Sequence, residues 1–158
     1  MNKYVIGIAA LAILLIFSSY VLPNSGGGNT AEVASAVSVI ESSYDFGDID
    51  IFDGKVSTTY TLRNDGDEDV RILSAVTSCM CTEGKIGDLE FGMHESSKDT
   101  VVIPVGGEET LSATFDPLAH GPNGTGKIKR ELFLKTNSTA TPEIKVTFSA
   151  NVVKNETE

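Results

Sequence analysis

Ile144, Val146, Phe148, Ala150 and Val152 occupy consecutive alternate positions, with Lys145, Thr147, Ser149 and Asn151 between them. Only an extended chain puts such a set on one face, because side chains alternate along a strand whereas helical neighbours recur every three or four residues. A strand with one apolar face has to bury it against another layer, so this run predicts a second sheet as well as a first. The same period recurs upstream. Val56, Thr58, Tyr60 and Leu62 alternate with Ser57, Thr59, Thr61 and Arg63, and Leu111, Ala113 and Phe115 share one face of residues 110–115. Residues 70–76, 100–103 and 129–136 are further strand candidates. Clusters of Gly, Pro, Asn and Asp separate these runs, and Asn64-Asp65-Gly66-Asp67 reads as a hairpin turn closing the strand before it. The expected fold is all-β: an immunoglobulin-like antiparallel β-sandwich of about seven strands. An antibody-type domain is excluded, because the chain has no Trp and its two cysteines, one residue apart, cannot join facing sheets. The core is expected to be aliphatic.

The β pattern does not reach the N-terminus. Residues 5–22 (VIGIAALAILLIFSSYVL) carry no charge and as a helix would extend roughly 27 Å, enough to cross the hydrocarbon core. Lys3 precedes this run, no basic residue follows until Lys55, and Tyr4 and Tyr20 stand near its ends. That arrangement predicts one N-terminal transmembrane helix with its N-terminus inside and the rest of the chain outside the cytoplasmic membrane. The competing reading is a cleaved signal peptide and a secreted product, but the nearest small-x-small site, Ala34-Ser35-Ala36, lies far downstream of the apolar run. Residues 23–41 are rich in Gly, Ser, Asn and Ala and are expected to form a flexible linker. The domain is then expected over residues 42–153, with a polar tail at 154–158. It should fold without metal or cofactor.

Lys+Arg 12 against Asp+Glu 22 gives a net charge of −10. A surface of that sign repels phosphate backbones, so nucleic acid is not an expected partner. The expected partners are the membrane, through the N-terminal helix, and a protein or envelope component bound by loops or an edge strand.

A set of motifs resembles a known family. Tyr44-Asp45-Phe46-Gly47-Asp48-Ile49, Gly54, Asn64-Asp65-Gly66, Ser78-Cys79-Met80-Cys81-Thr82, Thr114-Phe115-Asp116-Pro117 and Lys135-Thr136-Asn137 follow one another in order over residues 42–153. This is similar to the domain-of-unknown-function family numbered fifteen seventy-three, bacterial exported domains related to the Hydin-type immunoglobulin-like domains. The resemblance implies a β-sandwich outside the cytoplasmic membrane and no particular activity. Met80 stands where that family commonly has Gly, and residues 87–98 look like an insertion.

The cysteine pair is the candidate site. In a fully extended chain the two Cα atoms would lie about 6.6 Å apart, near the ~6.8 Å limit for a disulfide. Bridging Cys79 to Cys81 therefore requires a kink, which Gly would ease and Met80 is expected to resist. Export favours the bond, and two free, partly buried thiols are the alternative. Glu83, Asp88 and Glu90 against Lys85 should raise the thiol pKa, so the domain is not expected to be an enzyme. The alternative function is soft-metal binding or thiol chemistry: Cys79, Cys81, Met93 and His94 are the sulfur and imidazole donors that copper(I) favours. His120, in Ala119-His120-Gly121-Pro122, reads as part of a turn.

Overall fold

The computed structural model describes residues 36–96 and 101–155, and every regular element among them is a strand. In chain order these are β1 Val37–Val39, β2 Ser43–Asp50, β3 Val56–Asn64, β4 Val70–Thr77, β5 Thr82–Ile86, β6 Leu89–Phe91, β7 Val101–Ile103, β8 Glu108–Phe115, β9 Gly126–Thr136 and β10 Glu143–Val153. They form two five-stranded sheets, ordered β1-β3-β8-β5-β6 and β2-β10-β9-β4-β7. The expected membrane helix at residues 5–22 and most of the 23–41 linker lie outside the described residues. Among those described, no helix is long and apolar enough to cross a membrane.

The alternating faces land as their spacing requires. Ile144, Val146, Phe148, Ala150 and Val152 are all buried, as are Leu111, Ala113 and Phe115 on the opposing sheet. These rows meet between the layers: the Phe115 ring lies 5.7 Å from that of Phe148, which also packs edge-on against Phe46 at 5.6 Å. The core is thus partly aromatic rather than aliphatic alone. Tyr60, on β3, is 2% exposed and its hydroxyl donates to the Thr147 carbonyl on β10 at 2.8 Å, pinning one sheet to the other. Burial pushes the Tyr60 phenol up to about 12, so it stays a donor at neutral pH.

The structure corrects the sequence reading at several points. Ten strands replace about seven, because β1, β2, β5 and β6 are short, exposed or poor in apolar residues. On β5 the inward positions are Thr82, Gly84 and Ile86, too polar and too small to register as a hydrophobic alternation. Gly84 faces the Phe91 ring across the hairpin, and a Cβ there would stand 2.2 Å from that ring. Residues 87–96, the described part of the expected insertion, contain a strand: Gly87, with φ +52°, turns the chain into β6, and Ser96 bridges back to Ala75. Val37–Val39, inside the stretch expected as linker, pairs with β3, and Val37 is buried.

The sandwich is not purely antiparallel, since β2 runs parallel to β10 at one sheet edge. Nor is Asn64-Asp65-Gly66-Asp67 a hairpin. β3 and β4 belong to different sheets, and Gly66 does not take a positive φ. Asn64 is buried and its side chain ties this crossing together: Nδ2 donates to the carbonyls of Glu68 (2.8 Å) and Ile103 (2.9 Å), while Oδ1 accepts from the Gly66 amide at 3.0 Å.

Candidate functional site

The cysteines sit where the chain changes sheets at the other end of the sandwich. β4 pairs with β9 as far as Thr77, and the Ser78 amide continues that ladder by donating to the Glu131 carbonyl at 2.9 Å. Four residues later the chain is β5, in the opposite sheet. The change is made in a turn closed by the Thr82 amide donating to the Cys79 carbonyl at 3.1 Å. The buried Thr77 hydroxyl lies within hydrogen-bond reach of two carbonyls of the same turn, those of Cys79 (2.9 Å) and Thr82 (3.1 Å). This explains why threonines flank the pair: each is buried, and one holds the turn from within.

Inside the turn Cys79 and Cys81 are joined by a disulfide, with Cα atoms 5.2 Å apart. The kink that an extended chain lacks is supplied by the sheet crossing. Met80 does not resist it: among the described residues no non-glycine has a positive φ, so the turn needs no glycine conformation. The Met80 side chain points away and is 65% exposed. Cys81 is buried and Cys79 half-buried.

Two side chains distant in sequence reach the sulfurs. The first is His120. At the end of β8 the Asp116 amide donates to the Cys81 carbonyl at 2.9 Å, the Asp116 carboxylate accepts from the Leu118 amide at 2.9 Å, and the Gly121 amide donates to the Leu118 carbonyl at 2.8 Å. Gly121, at φ +84°, takes a conformation that disfavours any other residue. This folded loop returns the His120 ring over the pair, with Nε2 3.3 Å from Cys79 Sγ. The second is Arg130 of β9, whose Nε donates to Cys81 Sγ at 3.1 Å while its guanidinium lies 5.9 Å from the Phe115 ring centre. Burial lowers the Arg130 pKa from its ordinary value, yet a guanidinium remains a cation at neutral pH.

These neighbours reverse the electrostatic expectation. Glu83 is paired with Lys55 at 3.3 Å and Glu90 with Lys85 at 2.7 Å, both on the exposed side of β5 and β6. Side chains alternate along a strand, so acidic residues next to Cys81 in sequence project to the solvent face, while the sulfurs meet an imidazole and a guanidinium. The metal-donor set shifts in the same way. Among the described residues, the donor atoms of Cys79, Cys81 and His120 all lie within 4.8 Å of one another. His94 is not part of that group. It and Met93 are exposed, on the segment after β6 that runs beside β4. The signals that could have pointed to His120 were the Asp-Pro turn after β8 and the glycine following the histidine.

Residues 37–152 match the family model described as a protein of unknown function (DUF1573). No curated protein matches the sequence significantly. Among solved structures, the chain is similar to a protein of unknown function from Porphyromonas gingivalis W83, at 19% identity and a TM-score of 0.57, covering 78% of this chain and 51% of that one. It is also similar to the secreted serine protease VesC from Vibrio cholerae, at 11% identity and a TM-score of 0.50, covering 77% of this chain and 24% of that one. The chaperone YadV is similar at 7% identity and a TM-score of 0.50, covering 78% of this chain and 55% of that one. The chain thus spans about half the length of the first and third of these proteins and about a quarter of the second, and at these identities the likeness is one of fold.

Proposed function

The chain belongs to the DUF1573 family, and for it we propose the role of a membrane-tethered, extracytoplasmic, immunoglobulin-like module that binds or braces a protein or envelope component without catalysing a reaction. The observation that carries this reading is a set of apolar side chains held out on loops at one end of the sandwich. Val56 pairs with Phe115, and Phe115 pairs with Thr82, so the loops that adjoin these positions leave the same end. Each presents one large apolar residue: Phe52 is 54% exposed, Met80 65% and Leu118 43%. Single exposed apolar residues are ordinary. Three on neighbouring loops drawn from both sheets supply the kind of surface that rigid sandwiches use for recognition.

The experiment is site-specific photo-crosslinking from residue 80 in the native host, comparing the wild-type background with a Phe52→Ser, Leu118→Ser background. The cross-linked product is expected to fall at least tenfold, corresponding to about 1.4 kcal/mol, with the circular dichroism spectrum unchanged. Undiminished cross-linking would overturn the loop surface as the binding site. For the tether, residues 5–22 support a retained anchor. Mass spectrometry of the mature protein from its own membrane is expected to find that segment present, and a mature N-terminus between residues 19 and 37 would overturn it.

A further inference from the structure

We propose that reduction converts the Cys79–Cys81 turn into a three-coordinate copper(I) site whose third ligand is His120. The disulfide and the metal site are then two states of one device. This goes beyond the partner-binding reading and does not depend on it.

The geometry supplies the donors without rearrangement of the sheets. A metal–sulfur bond is about 2.3 Å and a metal–imidazole bond about 2.0–2.1 Å, so donors around one ion must lie within roughly 4.6 Å of one another. Those of Cys79, Cys81 and His120 lie within 4.8 Å of one another, so a shift of a few tenths of an ångström brings all three within reach of one ion. Opening the disulfide separates only the sulfurs, which sit on Cα atoms 5.2 Å apart. The turn itself is held by the Thr77 hydroxyl and the Thr82 amide, neither of which involves sulfur. His120 is exposed, so an ion can enter from solvent on that side while Cys81 forms the buried floor.

Donor chemistry and charge select the ion. Two thiolates and one imidazole are a soft set suited to copper(I), whereas a closed zinc site takes four ligands. Two thiolates with a monovalent cation leave one net negative charge, and the Arg130 guanidinium, 3.1 Å from Cys81 Sγ, neutralises it. A divalent ion would already be neutral with the two thiolates, leaving the arginine's charge uncompensated in a partly buried place, which is unfavourable.

The steps balance. A dithiol reductant attacks the disulfide, the Cys79–Cys81 sulfur–sulfur bond breaks, and two electrons and two protons pass to the protein sulfurs as the reductant closes to its own disulfide. Copper(I) then displaces the two thiol protons to solvent. The buried position of Cys81 makes Cys79, the half-buried sulfur, the one open to attack.

The test uses the full chain, reduced with dithiothreitol, desalted without oxygen and titrated with copper(I), beside the unreduced chain. The expected result is one equivalent bound by the reduced chain and none by the oxidised one, with X-ray absorption reporting two sulfur and one nitrogen neighbours. His120→Ala should weaken binding at least tenfold and remove the nitrogen neighbour, and His94→Ala should change neither. Far-ultraviolet circular dichroism confirms that each variant is folded, and the wild-type absorption spectrum stands even if one is not. Equal binding by the oxidised chain, an all-sulfur shell in the wild type, dependence on His94 instead of His120, or tighter binding of zinc than copper(I) in direct competition would each overturn the proposal.

Discussion

Two polar nodes occupy opposite ends of the sandwich, and each marks a place where the chain passes from one sheet to the other. At Asn64 the amide is buried and engaged on both of its atoms, and the Asn64 backbone amide and carbonyl pair with Gly107 and Gly106 at 3.0 Å. At the Cys79–Cys81 turn, the side chains that meet are a half-buried sulfur, a buried sulfur, an exposed imidazole and a partly buried guanidinium. The first node spends its hydrogen-bonding capacity on architecture. The second holds its backbone with threonines and leaves sulfur and imidazole with chemistry unspent. A sheet crossing needs only one such set of bonds, so the extra groups at the cysteine end are the ones that call for a functional account.

That contrast makes graded predictions. Asn64→Ala should cost most, about 2–4 kcal/mol, because it strands the buried Ile103 carbonyl and removes the part-buried bond to the Glu68 carbonyl. Urea denaturation measures it, and a loss below about 1 kcal/mol would mean the node is not architectural. Cys79→Ser with Cys81→Ser should cost less, about 1–2 kcal/mol, since the bridge closes a loop with a sequence separation of only 2. If the double variant loses as much as Asn64→Ala, the two ends are alike and the contrast fails. Tyr60→Phe removes one bond between the sheets and should lower stability by about 1 kcal/mol. An unchanged denaturation midpoint would show that this bond adds nothing to the packing around it.

The smallest expected effect concerns acid. The backbone amides of Phe52 and Asn155 donate to the Asp50 carboxylate at 2.8 and 2.7 Å and hold its pKa below the ordinary 3.8. A group whose pKa is lower in the folded state adds stability above its unfolded value and loses it as pH falls through the folded one. The wild-type melting temperature should therefore decline below about pH 4, and Asp50→Asn should decline less steeply over the same range. Parallel declines would show that the bonds from Phe52 and Asn155 do not make Asp50 a source of acid sensitivity.

How far each end was legible follows from the kind of information it used. The Asn64 cluster was visible as a chain reversal but mistaken for a hairpin, because Asn, Asp and Gly suit a tight turn and a crossing between sheets equally well. The cysteine pair is visible in the sequence as a site, where a disulfide, two free thiols and soft-metal or thiol chemistry all stand as readings. Its surroundings were misread because acidic residues adjacent in sequence were assumed adjacent in space. Strands β5 and β6 escaped detection because Thr82 and Gly84 fill inward positions that a hydrophobic pattern would give to larger residues. Gly84 is small because Phe91 occupies the space above it.

By itself the sequence determined the β class, the inward faces of β8 and β10, the family, and a net negative charge. These follow from local period, motif order and summed charge, which need no knowledge of what lies opposite. Tertiary structure decided which sheet each strand joins, that β2 lies parallel to β10, and that His120 and Arg130, rather than His94 and the neighbouring acids, stand beside the sulfurs. The physical reason is that strand pairing brings together residues separated by about forty to fifty positions. Pairing is set by how two apolar faces close on each other, and no local pattern in the chain records that closure.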